Sequence, residues 1–182
     1  AAEGAAQGTE TDFSYEVMHG NYSVMPNEVL QSVMHKQLVN RGGVTYDKEE
    51  NEFAEEIYKT LLNPVASIGD QEKILPYKTI HGYGSTDVGD ISWLVPTAGA
   101  RIASWVPGTP AHSWQAVASG GTSIGLKGEK LAVQVLSDTA IQIYLDPGIV
   151  KRAKKELSDR VGEDFIYFPL LGDRDPPLDY RN

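Results

Sequence analysis

The sequence predicts an α/β protein, and three observations predict it. Two segments read as strands: "TDFSYEV" at 11–17, where Phe13, Tyr15 and Val17 lie on one face with polar residues between them, and "RIASWV" at 101–106. Other segments carry apolar residues at three- and four-residue spacing, the period of a helix. With 182 residues, 41% of them hydrophobic and 23% charged, the chain can bury one real core, which excludes general disorder.

The opening "AAEGAAQGTETD" reads as the end of an alanine-rich helix stopped by Gly8. It lacks the basic flank and apolar centre of a signal peptide, and the chain is expected to start inside something longer. After the first strand, Asn27 caps a helix whose stripe is Leu30, Val33, Met34 and Leu38, and Gly42-Gly43 ends it. A second helix opens at Asp47 with Glu50 at the capping-box position. Phe53, Ala54, Ile57 and Leu61 form its apolar stripe, it stops before Pro64, and the acid pairs Glu49-Glu50 and Glu55-Glu56 read as its solvated face.

Periodicity is lost from about 63 to 100, a Gly-, Pro-, Ser- and Asp-rich connection long enough to suggest a functional loop. The second strand and the glycine-rich "ASGGTSIG" then lead to a long helix over roughly Leu126–Leu145. Its expected buried face is Leu131, Val135, Leu136, Thr139, Ala140 and Ile143. Asp146-Pro147 ends it, a short basic helix with "KRAKK" at 151–155 as a solvated face follows, and the tail "YFPLLGDRDPPLDYRN" reads as an extended strap.

Composition excludes several function classes. A net charge of -9 with no dense basic cluster gives no footprint for nucleic acid or an anionic membrane. No run of apolar residues is long enough for a membrane span. Without cysteine there is neither a disulfide framework nor a thiolate metal site nor a thiol nucleophile.

Two loops carry the candidate chemistry. In "STDVGD", Asp87 and Asp90 stand three apart, a spacing that serves turn hydrogen bonds as well as a site. In "SWVPGTPAHSWQ" at 104–115, His112 follows a Gly-Thr-Pro turn and is flanked by tryptophans. On its residues alone His112 is either a metal ligand or an imidazole in a surface loop, because one histidine cannot hold zinc and no H-x-H or H-E-x-x-H spacing accompanies it. His81 opens the glycine-rich loop and could approach the site; His19 and His35 read as solvated.

The order "GSTDVGDISWLVPT", "RIASWV", "GTPAHSWQ", "GLKG" and a closing helix resembles the end of the dinuclear-metal amidohydrolases of the aminoacylase and carboxypeptidase type, within them most closely the subfamily of the aminobenzoyl-glutamate hydrolases. "GTETDFSYEV" resembles the last strand of that family's inserted lid domain, "VMPNEVL" the return into the catalytic domain, and "YFPLLGDRDPP" its close.

The resemblance implies a three-layer αβα, zinc-exopeptidase-like catalytic domain, with residues 1–24 ending the lid, or dimerisation, domain and 25–182 forming the C-terminal part of the catalytic domain. It implies that His112 is the last metal ligand, for zinc or manganese, and that Ser85, Thr86 and Asp87 line the substrate side. Many relatives have Glu-Asp-Phe where this chain has Thr86-Asp87-Val88, which leaves the first acid's role open. Asp90 or Asp87 is expected to fix the tautomer of His112. In such enzymes two metal ions activate a bridging water, a glutamate takes its proton, and the hydroxide attacks an amide carbonyl. The glutamate and the remaining ligands have no counterpart in this sequence, so no catalytic residue is assigned and the chain alone is expected to be inactive. The implied substrate is a small acyl-amino acid and the implied compartment the cytoplasm. A homodimer, or pairing with the missing N-terminal part, follows from the same reading, since an incomplete sheet edge favours association. The alternatives are a noncatalytic binding or assembly module and a fragment without a function of its own.

Overall fold

The computed structural model describes residues 1–172 together with Asp175 and Leu178. Its helices are α1 (Ala2–Thr9), α2 (Glu28–Arg41), α3 (Lys48–Tyr58), α4 (Val88–Ser92), α5 (Trp114–Gly120), α6 (Ser123–Leu145) and α7 (Pro147–Val161), with one 3-10 turn at Asp70–Glu72. Among the described residues no strand forms. The expected α/β class, and with it the three-layer αβα sheet, is therefore replaced by an all-helical arrangement.

The reason lies in what a strand needs. Its N–H and C=O groups must meet a neighbouring strand, and its alternating face must cover another layer. Residues 11–17 have neither: Phe13, Tyr15 and Val17 stay exposed, and the rings of Phe13 and Tyr15 stack on each other with centroids 6.1 Å apart. Of residues 101–106, Val106 is buried and Ile102 and Ala103 pack against the core while Trp105 stays exposed, and the backbone runs against a helix. Gly128 of α6 allows this approach, because an added Cβ there would stand 2.5 Å from the carbonyl oxygen of Ala103.

The helices form where local chemistry starts them. Asn27 accepts from the N–H of Leu30 at 3.1 Å and donates through Nδ2 to the carbonyl of Ala153 at 2.9 Å, so one buried side chain both caps α2 and ties it to α7. Asp47 and Glu50 close the expected capping box on α3, at 3.0 and 2.8 Å. Asp146 caps α7 through the N–H of Gly148, with Pro147 in the first turn. α2 packs on α6 and α7, and α6 also packs on α5. Met34, Val44, Tyr46, Ala54, Ile57, Val106, Ile124, Leu131 and Val135 make the shared core.

Several expectations shift in detail. On α6, Leu131, Val135 and Thr139 are buried, but Leu136 and Ala140 are exposed. Glu49, Glu55 and Glu56 are solvated as read, whereas Glu50 is buried. His35 is half-buried with its ring 5.8 Å from that of Tyr77. The lysines and arginine of "KRAKK" are exposed around buried Ala153. The start of the tail does act as a strap, with the carbonyls of Leu170 and Phe168 accepting from Gly20 N–H and the Tyr22 hydroxyl. The strap's continuation through Asp173, Arg174, Pro176, Pro177 and residues 179–182 lies outside the described residues.

Candidate functional site

The site is built on the turn between Val106 and α5. The N–H of Thr109 donates to the carbonyl of Val106 at 3.1 Å, and Gly108 takes a left-handed φ of 85° with Pro64 packed where a side chain would go. Ser113 then fixes the far end. Its hydroxyl donates to the Pro110 carbonyl at 2.7 Å and accepts from the N–H of Ala116 at 3.2 Å, capping α5. Gln115 ties α5 to the end of α3 by donating to the Thr60 hydroxyl at 3.3 Å.

Between these anchors His112 has a φ of 60°. For a residue with a Cβ this left-handed conformation costs roughly 1–2 kcal/mol, and the pinned neighbours on both sides hold it. The imidazole is exposed and lines a cleft of about 690 Å³ with Trp105, Ala111, Ser113, Trp114, Ala116 and Val117. A larger cavity of about 940 Å³, lined by Val44, Ile102, Pro107 and Leu131 among others, shares Trp105 and Ala111 with it.

The donor set decides whether a metal ion fits. A catalytic zinc takes about three protein ligands. Among the described residues no group of three His, Asp or Glu side chains could hold one. These residues alone therefore do not form a metal centre, and His112 stands as a single nitrogen donor.

The other candidates occupy a second location. Ser85, Thr86 and Asp87 are exposed in the loop entering α4. Thr86 accepts from the Val88 N–H at 3.3 Å, and Asp87 precedes the helix without a side-chain cap bond. Asp90 is committed to long-range partners, accepting from the Tyr167 hydroxyl at 3.0 Å and from the Tyr22 N–H at 3.3 Å. Burial and the neighbouring Asp90 carboxylate both raise the Tyr167 phenol above its ordinary range. Around them Tyr22, Trp93, Phe165 and Tyr167 form an aromatic cluster, and Trp93 donates to the Ser23 carbonyl at 2.8 Å. None of Ser85, Thr86, Asp87 and Asp90 lines the cleft at His112. His81 rests edge-on against Tyr83.

In the sequence Trp105 and Trp114 read only as neighbours of His112, although both line its cleft. Two tryptophans flanking a loop histidine, one on each side, are the available signal. The partners of Asp90, some seventy residues away on each side, have none.

Among known proteins the chain is similar to a subunit of the p-aminobenzoyl-glutamate hydrolase of Escherichia coli (strain K12), with 32% identity over an alignment of 180 residues that covers 85% of this chain. That similarity bears out the resemblance to the aminobenzoyl-glutamate hydrolase subfamily. The chain spans 37% of that relative's length. No family model matches the sequence, and no solved structure matches it.

Proposed function

We propose that this chain is the C-terminal part of a metal-dependent amidohydrolase that cleaves an acyl-amino acid or an aminobenzoyl-glutamate-like amide. The observation that carries the reading is His112, held in a left-handed conformation at an apolar cleft within the "PAHSW" motif. The similarity to part of a known hydrolase supports it. His112 contributes one nitrogen to a zinc or manganese site whose other donors, like the general base, lie outside the described residues. Ser85, Thr86 and Asp87 serve the substrate side. The chain is inactive alone and acts in the cytoplasm, paired with a polypeptide that supplies the rest or as a homodimer.

The test is hydrolysis of p-aminobenzoyl-glutamate, with metal content, for the isolated chain and for the complete reading frame that holds this sequence. Turnover in the complete frame and none in the isolated chain is expected. No turnover and no bound metal in the complete frame would sink the reading. It would favour the second one, a noncatalytic binding or assembly module, which draws on the lack of a three-donor cluster among the described residues.

A further inference from the structure

We infer that the cleft beside His112 is an acyl-group subsite in which Trp105 and Trp114 hold an uncharged aromatic ring against the imidazole. This rests on the amide-hydrolase reading and adds what that reading leaves open, the side chains that select the acyl part. The lining decides the ligand class. Trp105, Ala111, Trp114, Ala116 and Val117 are apolar, and among the described residues no Asp, Glu, Lys or Arg lines the cleft. The Ser113 hydroxyl already donates to Pro110 and accepts from Ala116. A carboxylate would find no cation here, while a neutral ring finds two indoles and an imidazole.

The walls differ in how they are held. The carbonyl of Trp105 accepts from the Tyr46 hydroxyl at 3.3 Å, and its indole edge lies beside Gly120, where an added Cβ would be 3.5 Å from Nε1. Trp105, 37% exposed, is the more covered wall. Trp114 and Val117, on the first two turns of α5, are 59% and 78% exposed, apolar surface that a bound ring would cover. At about 690 Å³ the cleft lies within the range of small-molecule sites.

The third tryptophan, Trp93, is packed in the separate cluster with Tyr22 and Phe165 and serves as an internal control. The experiment titrates the chain with benzamide, and in parallel with acetamide, while following the indole N–H and His112 ring resonances by NMR. Benzamide is expected to shift Trp105, Trp114 and His112 but not Trp93, and acetamide to shift none. Trp114→Ala should weaken benzamide binding about threefold to tenfold; because Trp114 is exposed, folding should survive, which the unchanged Trp93 resonance would verify. No shift with benzamide, equal shifts with acetamide, or binding unchanged by Trp114→Ala would each overturn the subsite. Hydrolysis is not needed for this measurement. Binding without turnover in the complete frame would therefore overturn only the enzyme reading, and turnover without benzamide binding only the subsite.

Discussion

Glu50, in the first turn of α3, places its carboxylate on the ammonium of Lys127 in α6, 77 residues further along the chain. The same side chain accepts from the Asp47 N–H, and Lys127 also donates to the Thr45 carbonyl at 3.0 Å. A helix cap has thereby become a cross-brace between two helices. Burial by itself raises a carboxyl pKa, but here it is outweighed by Lys127, by Ser123 and by the Asp47 N–H, which bring Glu50 down to about 2.

The folded pKa of Glu50 lies below its ordinary 4.5, so its contribution is fully present above about pH 5 and is lost as pH falls through 4.5 towards 2. The upper bound is about 3 kcal/mol. Glu50→Gln should lower the urea midpoint at pH 7, and the gap to the unsubstituted chain should narrow steadily between pH 5 and pH 2. A gap that stays constant over that window would mean that the ion pair contributes nothing.

Ser113→Ala removes both the cap of α5 and the bond to the Pro110 carbonyl that braces His112. A loss of about 1 kcal/mol is expected from the cap. Amide hydrogen exchange should rise at Ala116, whose N–H loses its acceptor, with little change in α7. Protection at Ala116 equal to that of the unsubstituted chain would contradict the capping role.

Tyr167→Phe removes one of the two partners that hold Asp90. The lost bond runs to a carboxylate, the stronger kind, so its removal should loosen the segments that Asp90 joins. Amide exchange about threefold to tenfold faster should appear in α4 and in residues 20–25 together, since Asp90 and Ser92 bind the N–H groups of Tyr22 and Met25. If α4 alone responds, the strap and the 20–25 segment are not one unit.

What the sequence disclosed was local. The caps at Asn27 and Asp47 each bond a backbone group three residues away, so short windows contain the whole interaction. The strand readings at 11–17 and 101–106 also rest on short windows, but a strand depends on a distant partner that no window contains, and the inferred sheet failed there. Glu50 fails in the same way, its polar position on α3 concealing a buried contact with Lys127. For His112 the residues left two readings open. The resemblance implies the ligand, and the cleft added the tryptophans.

Two histidines should differ sharply in the complete reading frame. His35 packs on Tyr77 from the side of α2, away from the cleft, whereas His112 is, among the described residues, the one imidazole lining it. If His112 is a metal donor, His112→Ala should reduce kcat/KM on p-aminobenzoyl-glutamate at least about a hundredfold and lower metal content in parallel, since the donor supports several kcal/mol of transition-state stabilisation. His35→Ala should change kcat/KM less than about threefold and cost only the packing against Tyr77, on the order of 1 kcal/mol. A stability curve for each variant separates unfolding from loss of function. Exposure of His112 makes its replacement nearly neutral for folding, since the left-handed strain comes from the Cβ, which alanine keeps. A folded His112→Ala variant with full activity and full metal content would return the "GTPAHSWQ" loop to a surface turn.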